Sequence, residues 1–107
     1  MDDTMNEIAF QIILYAGNGK SSAMEAIQEA KDGNFEEADA KIKEAGEELS
    51  KAHGVQTRLL QEEARGNQTG VNVILVHSQD HLMTAMTLRD LAVEIIELHR
   101  LRVGGHS

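Results

Sequence analysis

Apolar residues recur every three or four positions along almost the whole chain, and only two short segments interrupt this spacing. The interruptions are Lys31-Asp32-Gly33-Asn34 and Arg65-Gly66-Asn67-Gln68-Thr69-Gly70, both rich in residues that favour turns. The chain contains no proline or tryptophan, and its apolar residues are mostly Ala, Leu, Ile, Val and Met, a mixture that suits helices. The pattern therefore predicts three long helices, at about 3–32, 34–65 and 71–102.

The two connections are short, so consecutive helices should run antiparallel. We predict an all-α fold, an up-down-up three-helix bundle, with residues 1–107 forming one domain and residues 103–107 a flexible tail. Asn34 is the expected N-cap of the second helix. Gly17 and Gly19 interrupt the first helix and could mark either a kink or a close helix contact.

The second segment carries the clearest heptad seam, flanked by Glu and Lys. Its seam positions are Phe35, Ala38, Ile42, Ala45, Leu49, Ala52, Gln56 and Leu59. The third segment differs, because its apolar residues lie on more than one face of the helix. Two partner helices in one chain can cover only one broad face, so the remaining apolar surface should need another subunit.

Asp80 interrupts the third helix at a seam position. Val73, Asp80 and Thr87 share one position of the heptad, and Val76 and Met83 occupy the other. If this stripe is a subunit interface, copies of Asp80 meet at the symmetry axis and need protons or a cation to compensate their charge. Carboxylate oxygens favour a hard cation such as Mg²⁺ or Ca²⁺. The alternative is that Asp80 lies at a water-filled edge of the bundle.

His77 and His81 lie one turn apart on one face of the same helix. One histidine could act as a nucleophile that the other supports, since imidazole is nucleophilic near neutral pH. The pair could instead bind a transition metal, as in a metalloenzyme, although the sequence offers no third ligand. A third interpretation is two ordinary hydrogen-bonded histidines in a helix.

Composition excludes several classes of function. The absence of cysteine excludes disulfides, thiolate metal sites and cysteine nucleophiles. A net charge of −8 argues against nucleic-acid binding, which needs a basic surface. No apolar run approaches the ~20 residues of a membrane helix, and no signal peptide is recognisable. These features indicate a soluble cytoplasmic protein.

The segment His77-Ser78-Gln79-Asp80-His81-Leu82-Met83-Thr84 resembles the active-site segment of the lactose/chitobiose class of enzyme IIA. These are soluble phosphocarriers of the bacterial phosphoenolpyruvate-dependent sugar phosphotransferase system. The resemblance covers nearly the whole chain. Its other segments are Tyr15-Ala16-Gly17, Asp32-Gly33-Asn34-Phe35, Ala52-His53 with Gln56-Thr57, and Ile96-Glu97-Leu98-His99.

The resemblance implies a homotrimer of three-helix chains, a nine-helix bundle. It implies that His77 accepts a phosphoryl group from the histidine phosphocarrier protein HPr and passes it to a cysteine of enzyme IIB, during uptake of a lactose-, cellobiose- or chitobiose-type disaccharide. Gln79 and His81 would support this transfer. Asp80 from three subunits would share a divalent cation, Mg²⁺ by this interpretation. The membrane would be involved only through the enzyme IIC transporter.

The rival interpretation of the whole chain is a non-catalytic helical oligomer that acts as an adaptor or regulator. Such a protein would share the three helices and the oligomer but would carry no phosphohistidine. The periodicity of the third helix is compatible with both this adaptor or regulator and the phosphocarrier. The family resemblance favours the phosphocarrier.

Overall fold

The structure, a computed structural model, describes residues 2–66 and 73–104, apart from the side chains of residues 2–5, 62 and 63. The described residues form three α-helices and no strand, as the all-α prediction requires. The helices are α1 (Asp2–Lys31), α2 (Phe35–Ala64) and α3 (Val73–Gly104).

The observed helix ends differ from the predicted ones by one or two residues. The largest difference is at the end of α3, where Val103 and Gly104 are helical rather than part of a flexible tail. The sequence places no residue that stops a helix before Gly104-Gly105, so hydrogen bonding continues past the predicted end at Arg102. The predicted start of this helix at residue 71 and the tail residues 105–107 lie outside the described residues.

The turn between α1 and α2 is a Schellman motif. Gly33 adopts a φ of 83°, which a residue without a Cβ reaches at no steric cost. The amide of Gly33 donates to the carbonyl of Ala30 at 3.0 Å, and the amide of Asn34 donates to the carbonyl of Glu29 at 2.8 Å. Asn34 directly precedes α2, and its carbonyl accepts the amide of Ala38, as expected of an N-cap residue.

The core establishes the up-down-up order. At one end of the bundle, Ala9 of α1 packs with Leu59, near the end of α2, and with Leu75, near the start of α3. At the other end, Ala38 of α2 packs with Ile96 of α3. α1 therefore runs parallel to α3 and antiparallel to α2. It packs closely against both, while α2 and α3 contact each other less.

α1 and α2 approach each other closely at Gly19. A Cβ at this position would lie 2.7 Å from Cγ of Leu49 and 3.3 Å from the carbonyl oxygen of Ala45. A Cβ at Gly17 would meet no atom within 4 Å. Of the two roles that the sequence leaves open for these glycines, Gly19 has the close helix contact, and α1 runs uninterrupted through both.

A cluster of polar side chains joins the same two helices near their middle. Asn18 and Lys51 each donate to the carboxylate of Glu48, both at 2.8 Å. These hydrogen bonds, the one from Lys51 foremost, hold the pKa of Glu48 below its usual value. The ammonium of Lys51 also lies 5.7 Å from the ring centroid of Tyr15.

α3 buries one face and leaves the opposite face uncovered. Its buried residues are Leu75, Ser78, Leu82, Ala85, Ala92 and Ile96. The opposite face carries a stripe of exposed residues at spacings of three and four, which we call the outer stripe: Val73, Val76, Asp80, Met83, Thr87, Leu91, Glu94, Leu98 and Leu101. Val73, for example, is 85% exposed. Six of these nine side chains are large and apolar, so the sequence correctly indicates more apolar surface than a single chain can cover.

Among the described helices, none combines the length and apolarity needed to cross a membrane.

Replacing each glycine of α1 by alanine should separate the effect of the close helix contact on stability from the effect of helix propensity. Both substitutions gain about 1 kcal/mol of propensity, but only Gly19→Ala forces a Cβ against Leu49. We expect Gly17→Ala to exceed Gly19→Ala in free energy of unfolding by about 1–3 kcal/mol, the usual cost of overpacking. Urea denaturation at one protein concentration measures the difference. Equal stabilities for the two variants would contradict the close approach of α1 and α2.

Candidate functional site

The packing of three side chains sets the rotation of α3 at the candidate site. Ser78, Leu82 and Ala85 are buried at spacings of four and three, with Leu82 fully enclosed in the core. The hydroxyl of Ser78 donates to the carbonyl of Leu75 at 2.6 Å, which satisfies the one polar side chain among these three. With the helix held in this rotation, the residues between these positions must point to its flanks or away from the bundle.

His77 and His81 lie on one flank of α3 and contact each other. The Nε2 atoms are 3.1 Å apart, a hydrogen bond in which one ring donates and the other accepts. The ring centroids are 4.5 Å apart, and the ring planes are nearly perpendicular. His77 is exposed and His81 is half-buried. The structure thus combines an accessible imidazole with a second imidazole that reaches its Nε2 atom.

Gln79 lies on the other flank of α3, toward α2. Its side-chain oxygen accepts a hydrogen bond from Nε2 of Gln56, and both side chains are half-buried. Two residues along a helix correspond to a rotation of about 200°, so Gln79 and His77 face away from each other. Within a single chain, therefore, the structure does not bring Gln79 to the histidine pair.

Asp80 lies on the outer stripe of α3. It is two residues from both Ser78 and Leu82, so it lies about 200° around the helix from these buried side chains and is exposed. It is about 60° around the helix from His77, by the same geometry. The hydroxyl of Thr84 donates to the main-chain carbonyl of Asp80 at 2.6 Å, so this hydroxyl is satisfied within the helix.

A single chain does not offer a complete metal site in the part that the structure describes. No group of three or more His, Asp or Glu side chains is close enough to hold one ion there. Asp80 contributes one carboxylate on an exposed apolar stripe. Oxygen ligands from this residue type suit Mg²⁺, but several copies of the chain would have to supply them together.

Two residues of the site, Gln56 and Ser78, are not assigned to it from the sequence and are identified only in the structure. Gln56 occupies a seam position of α2, and a polar residue at such a position was the available signal that it meets another polar group. Its partner Gln79 could not be identified without the register between the two helices. Ser78 is the second residue of the segment His77–Thr84, and its burial follows from its one-turn spacing from Leu75 and Leu82.

The other described histidines lie apart from the pair. His53 is exposed on α2 and lines a groove with Met86 and Arg89 of α3, while His99 is half-buried near the end of α3. His106 lies outside the described residues.

The sequence matches a family model and several characterised relatives. The model described as "PTS system, Lactose/Cellobiose specific IIA subunit" matches residues 7–100. The lichenan-specific phosphotransferase enzyme IIA component of Bacillus subtilis (strain 168) is 59% identical over 99 residues, which cover 92% of this chain and 90% of that protein. The cellobiose-specific EIIA component of Lactococcus lactis subsp. lactis (strain IL1403) is 50% identical over 95 residues, 89% of this chain and 81% of that protein.

Solved structures of similar proteins share the fold. The crystal structure of the PTS cellobiose-specific enzyme IIA from Bacillus anthracis superposes with a TM-score of 0.92 at 48% identity, covering 94% of this chain and 93% of that one. IIA(Chitobiose), in the solution structures of its complex with HPr from Escherichia coli, superposes with a TM-score of 0.79 at 38% identity. That superposition covers 90% of this chain and 93% of that one.

The hydrogen bond between the two imidazoles predicts their tautomers. When both rings are neutral, the donor carries its proton on Nε2 and the acceptor carries its proton on Nδ1, so His77 and His81 must differ. Imidazole ¹⁵N chemical shifts at alkaline pH report the tautomer of each ring. In the His81→Ala variant, the hydrogen bond is absent and His77 should no longer be held in one tautomer. Two rings in the same tautomer in the unaltered protein would contradict the observed pair.

Proposed function

The chain belongs to the lactose/cellobiose-specific IIA family of the phosphotransferase system, and we propose that it carries a phosphoryl group on His77 between HPr and an enzyme IIB. Its relatives are phosphotransferase enzyme IIA components. The observation that carries the proposal is the exposed His77 imidazole, with Nε2 of His81 3.1 Å from its own Nε2. An accessible nucleophile with a second imidazole beside it is what a reversible phosphoryl carrier needs.

In the first transfer, phospho-HPr presents its phosphohistidine to neutral His77. The Nε2 lone pair of His77 attacks phosphorus in line, the new N–P bond forms, and the N–P bond of HPr breaks, so that HPr leaves with its imidazole regenerated. Little covalent chemistry falls to the protein beyond the nucleophile. Positioning and charge stabilisation account for most of the acceleration.

In the second transfer, the cysteine thiolate of enzyme IIB attacks the same phosphorus atom. The S–P bond forms, the N–P bond to His77 breaks, and neutral imidazole returns for another cycle. Because His77 is exposed on the flank of a helix, the two partners can approach it in turn. The E. coli IIA(Chitobiose) structures were determined in complex with HPr, which supports HPr as the first partner here.

His81 is the proposed supporting group within the chain. A protonated Nε2 on His81 can donate to a phosphoryl oxygen as readily as to the Nε2 of His77 that it now contacts. Gln79 would act differently. It faces away from His77 in its own chain, so it would support the site of a neighbouring subunit, and Gln56 would hold its amide in one orientation.

The proposed active form is a homotrimer, a nine-helix bundle. Packing the outer stripes of three α3 helices together would cover the apolar side chains that one chain leaves exposed. It would also bring three copies of Asp80 to the axis. Their carboxylates would share a divalent cation, Mg²⁺ in this proposal, which compensates like charges in a dry interface. The cation would serve assembly, while the phosphoryl transfers proceed on His77.

The transported sugar is a β-linked disaccharide of the lactose, cellobiose or chitobiose type in this proposal, since the matching family model is lactose/cellobiose-specific and the named relatives are lichenan-, cellobiose- and chitobiose-type components. The protein would act in the cytoplasm, and the membrane would enter only through the enzyme IIC transporter that enzyme IIB serves.

Removing the nucleophile should abolish phosphorylation without unfolding the chain. We expect His77→Ala to accept no phosphoryl group from phosphoenolpyruvate, enzyme I and HPr, measured as acid-labile phosphate on the protein. His99→Ala is the matched control, since it removes a histidine from the same helix about 33 Å away at 1.5 Å per residue. It should be phosphorylated normally. Normal phosphorylation of His77→Ala would refute the assignment and favour a non-catalytic adaptor.

Replacing the stripe carboxylate should stabilise the assembly. An apolar side chain in place of a buried charge is commonly neutral or stabilising by about 1–4 kcal/mol, so we expect Asp80→Leu to melt at a higher temperature and to lose any dependence on Mg²⁺. Asp90→Leu, also exposed on α3 but outside the outer stripe, should give neither effect. A clearly less stable Asp80→Leu would show that the carboxylate makes essential hydrogen bonds instead.

A further inference from the structure

The histidine pair has a property that phosphoryl transfer does not use. The Nε2 atoms of His77 and His81 already lie 3.1 Å apart, on a helix whose rotation is fixed by the buried neighbours Ser78 and Leu82. Neutral imidazole nitrogens are among the commonest ligands of transition metals in proteins. Two such nitrogens one helical turn apart form the simplest chelating pair that a helix can present.

We propose that His77 and His81 form a bidentate site for a borderline transition-metal ion, Zn²⁺ in particular, with water completing its coordination. Two Zn–N bonds of about 2.05 Å that close on nitrogens 3.1 Å apart subtend an angle of about 98° at the metal. This angle lies between the octahedral and tetrahedral values. The two nitrogens can therefore share one ion at their present separation, after the rings turn both lone pairs toward it.

The exposure of the two rings fits an ion that keeps several water ligands. His77 is exposed, which leaves open space on the side of the ion away from the helix, and His81 is half-buried, which restricts its ring. No third His, Asp or Glu joins the pair to make a closed site among the residues that the structure describes. An open site with two protein ligands binds its metal reversibly, unlike a structural zinc site.

This site differs in chemistry from the carboxylate on the outer stripe. Imidazole nitrogen selects Zn²⁺, Ni²⁺ or Cu²⁺, whereas Mg²⁺ prefers carboxylate and water oxygens. Asp80 lies about 60° around the helix from His77 and supplies oxygen ligands only. An excess of Mg²⁺ should therefore leave the histidine pair free for Zn²⁺.

Zn²⁺ bound to this pair would block phosphoryl transfer to His77, a consequence that rests on the proposed function. A Zn²⁺ ion coordinated by Nε2 of His77 occupies the lone pair that would attack phosphorus. Conversely, an N–P bond at the same atom removes one of the two metal ligands. Metal and phosphoryl group would exclude each other, so the unphosphorylated carrier is the form that Zn²⁺ binds.

Calorimetric titration of the full chain with ZnCl₂, in buffer containing excess MgCl₂, tests the site directly. We expect one Zn²⁺ per chain. His77→Ala and His81→Ala should each weaken binding at least tenfold, about 1.4 kcal/mol. His53→Ala and His99→Ala are the controls, since they remove a histidine outside the pair and should leave this affinity unchanged. Circular dichroism confirms that each variant remains helical.

Absence of Zn²⁺ binding, or binding that survives either substitution in the pair, would overturn the proposal. Loss of binding with only one of the two substitutions would overturn it as well, because a chelate needs both ligands. The titration contains no HPr and no phosphoryl donor. If the protein bound Zn²⁺ through both histidines but accepted no phosphoryl group from phospho-HPr, the metal site would be supported and the proposed function would be refuted.

Discussion

The two-sided apolar surface of α3 is the constraint on which the rest of the structure depends. One face, which includes Leu75, Leu82 and Ile96, packs against α1 and α2 and completes the core of the single chain. The opposite face, the outer stripe, stays exposed even though most of its side chains are large and apolar. At roughly 25 cal/mol for each Å² of apolar surface removed from water, leaving such a stripe uncovered forgoes substantial stabilisation. This surface supports the proposal that the chain assembles with other copies, and the family resemblance implies that the assembly is a trimer.

The same helix also determines the geometry of the candidate site. Once Ser78 and Leu82 are fixed in the core, the residues between and beside them are distributed to three different directions. Asp80 joins the outer stripe, the histidine pair lies on one flank, and Gln79 lies on the other with Gln56. The proposed assembly and the proposed phosphoryl chemistry can thus use one short segment without competing for the same face. A one-residue shift of α3 would rotate it by about 100° and destroy all three arrangements together.

Sequence periodicity was sufficient for the parts of this structure that depend on one helix at a time. It predicted the three helices, the antiparallel order and the position of Asp80 on an apolar stripe of the third helix. It did not predict the Gln56–Gln79 hydrogen bond or choose between a kink and a close contact at Gly19, because both depend on the register and distance between helices. The end of α3 lies two residues beyond the predicted Arg102, since no residue that stops a helix precedes Gly104. The proposed nucleophilic role of His77 rests on the family resemblance, because an exposed histidine pair alone is compatible with several functions.

The outer stripe connects the fold to the proposed function, so the size of the assembly is the most direct test of the account. Sedimentation equilibrium of the unaltered protein over a range of concentrations, in the presence of Mg²⁺, measures its mass in solution. Three chains of 11.8 kDa predict a single species of about 35 kDa. A protein that sediments as a monomer at all concentrations would contradict the account, because the apolar stripe would then face water and Asp80 would have no symmetry-related carboxylates beside it.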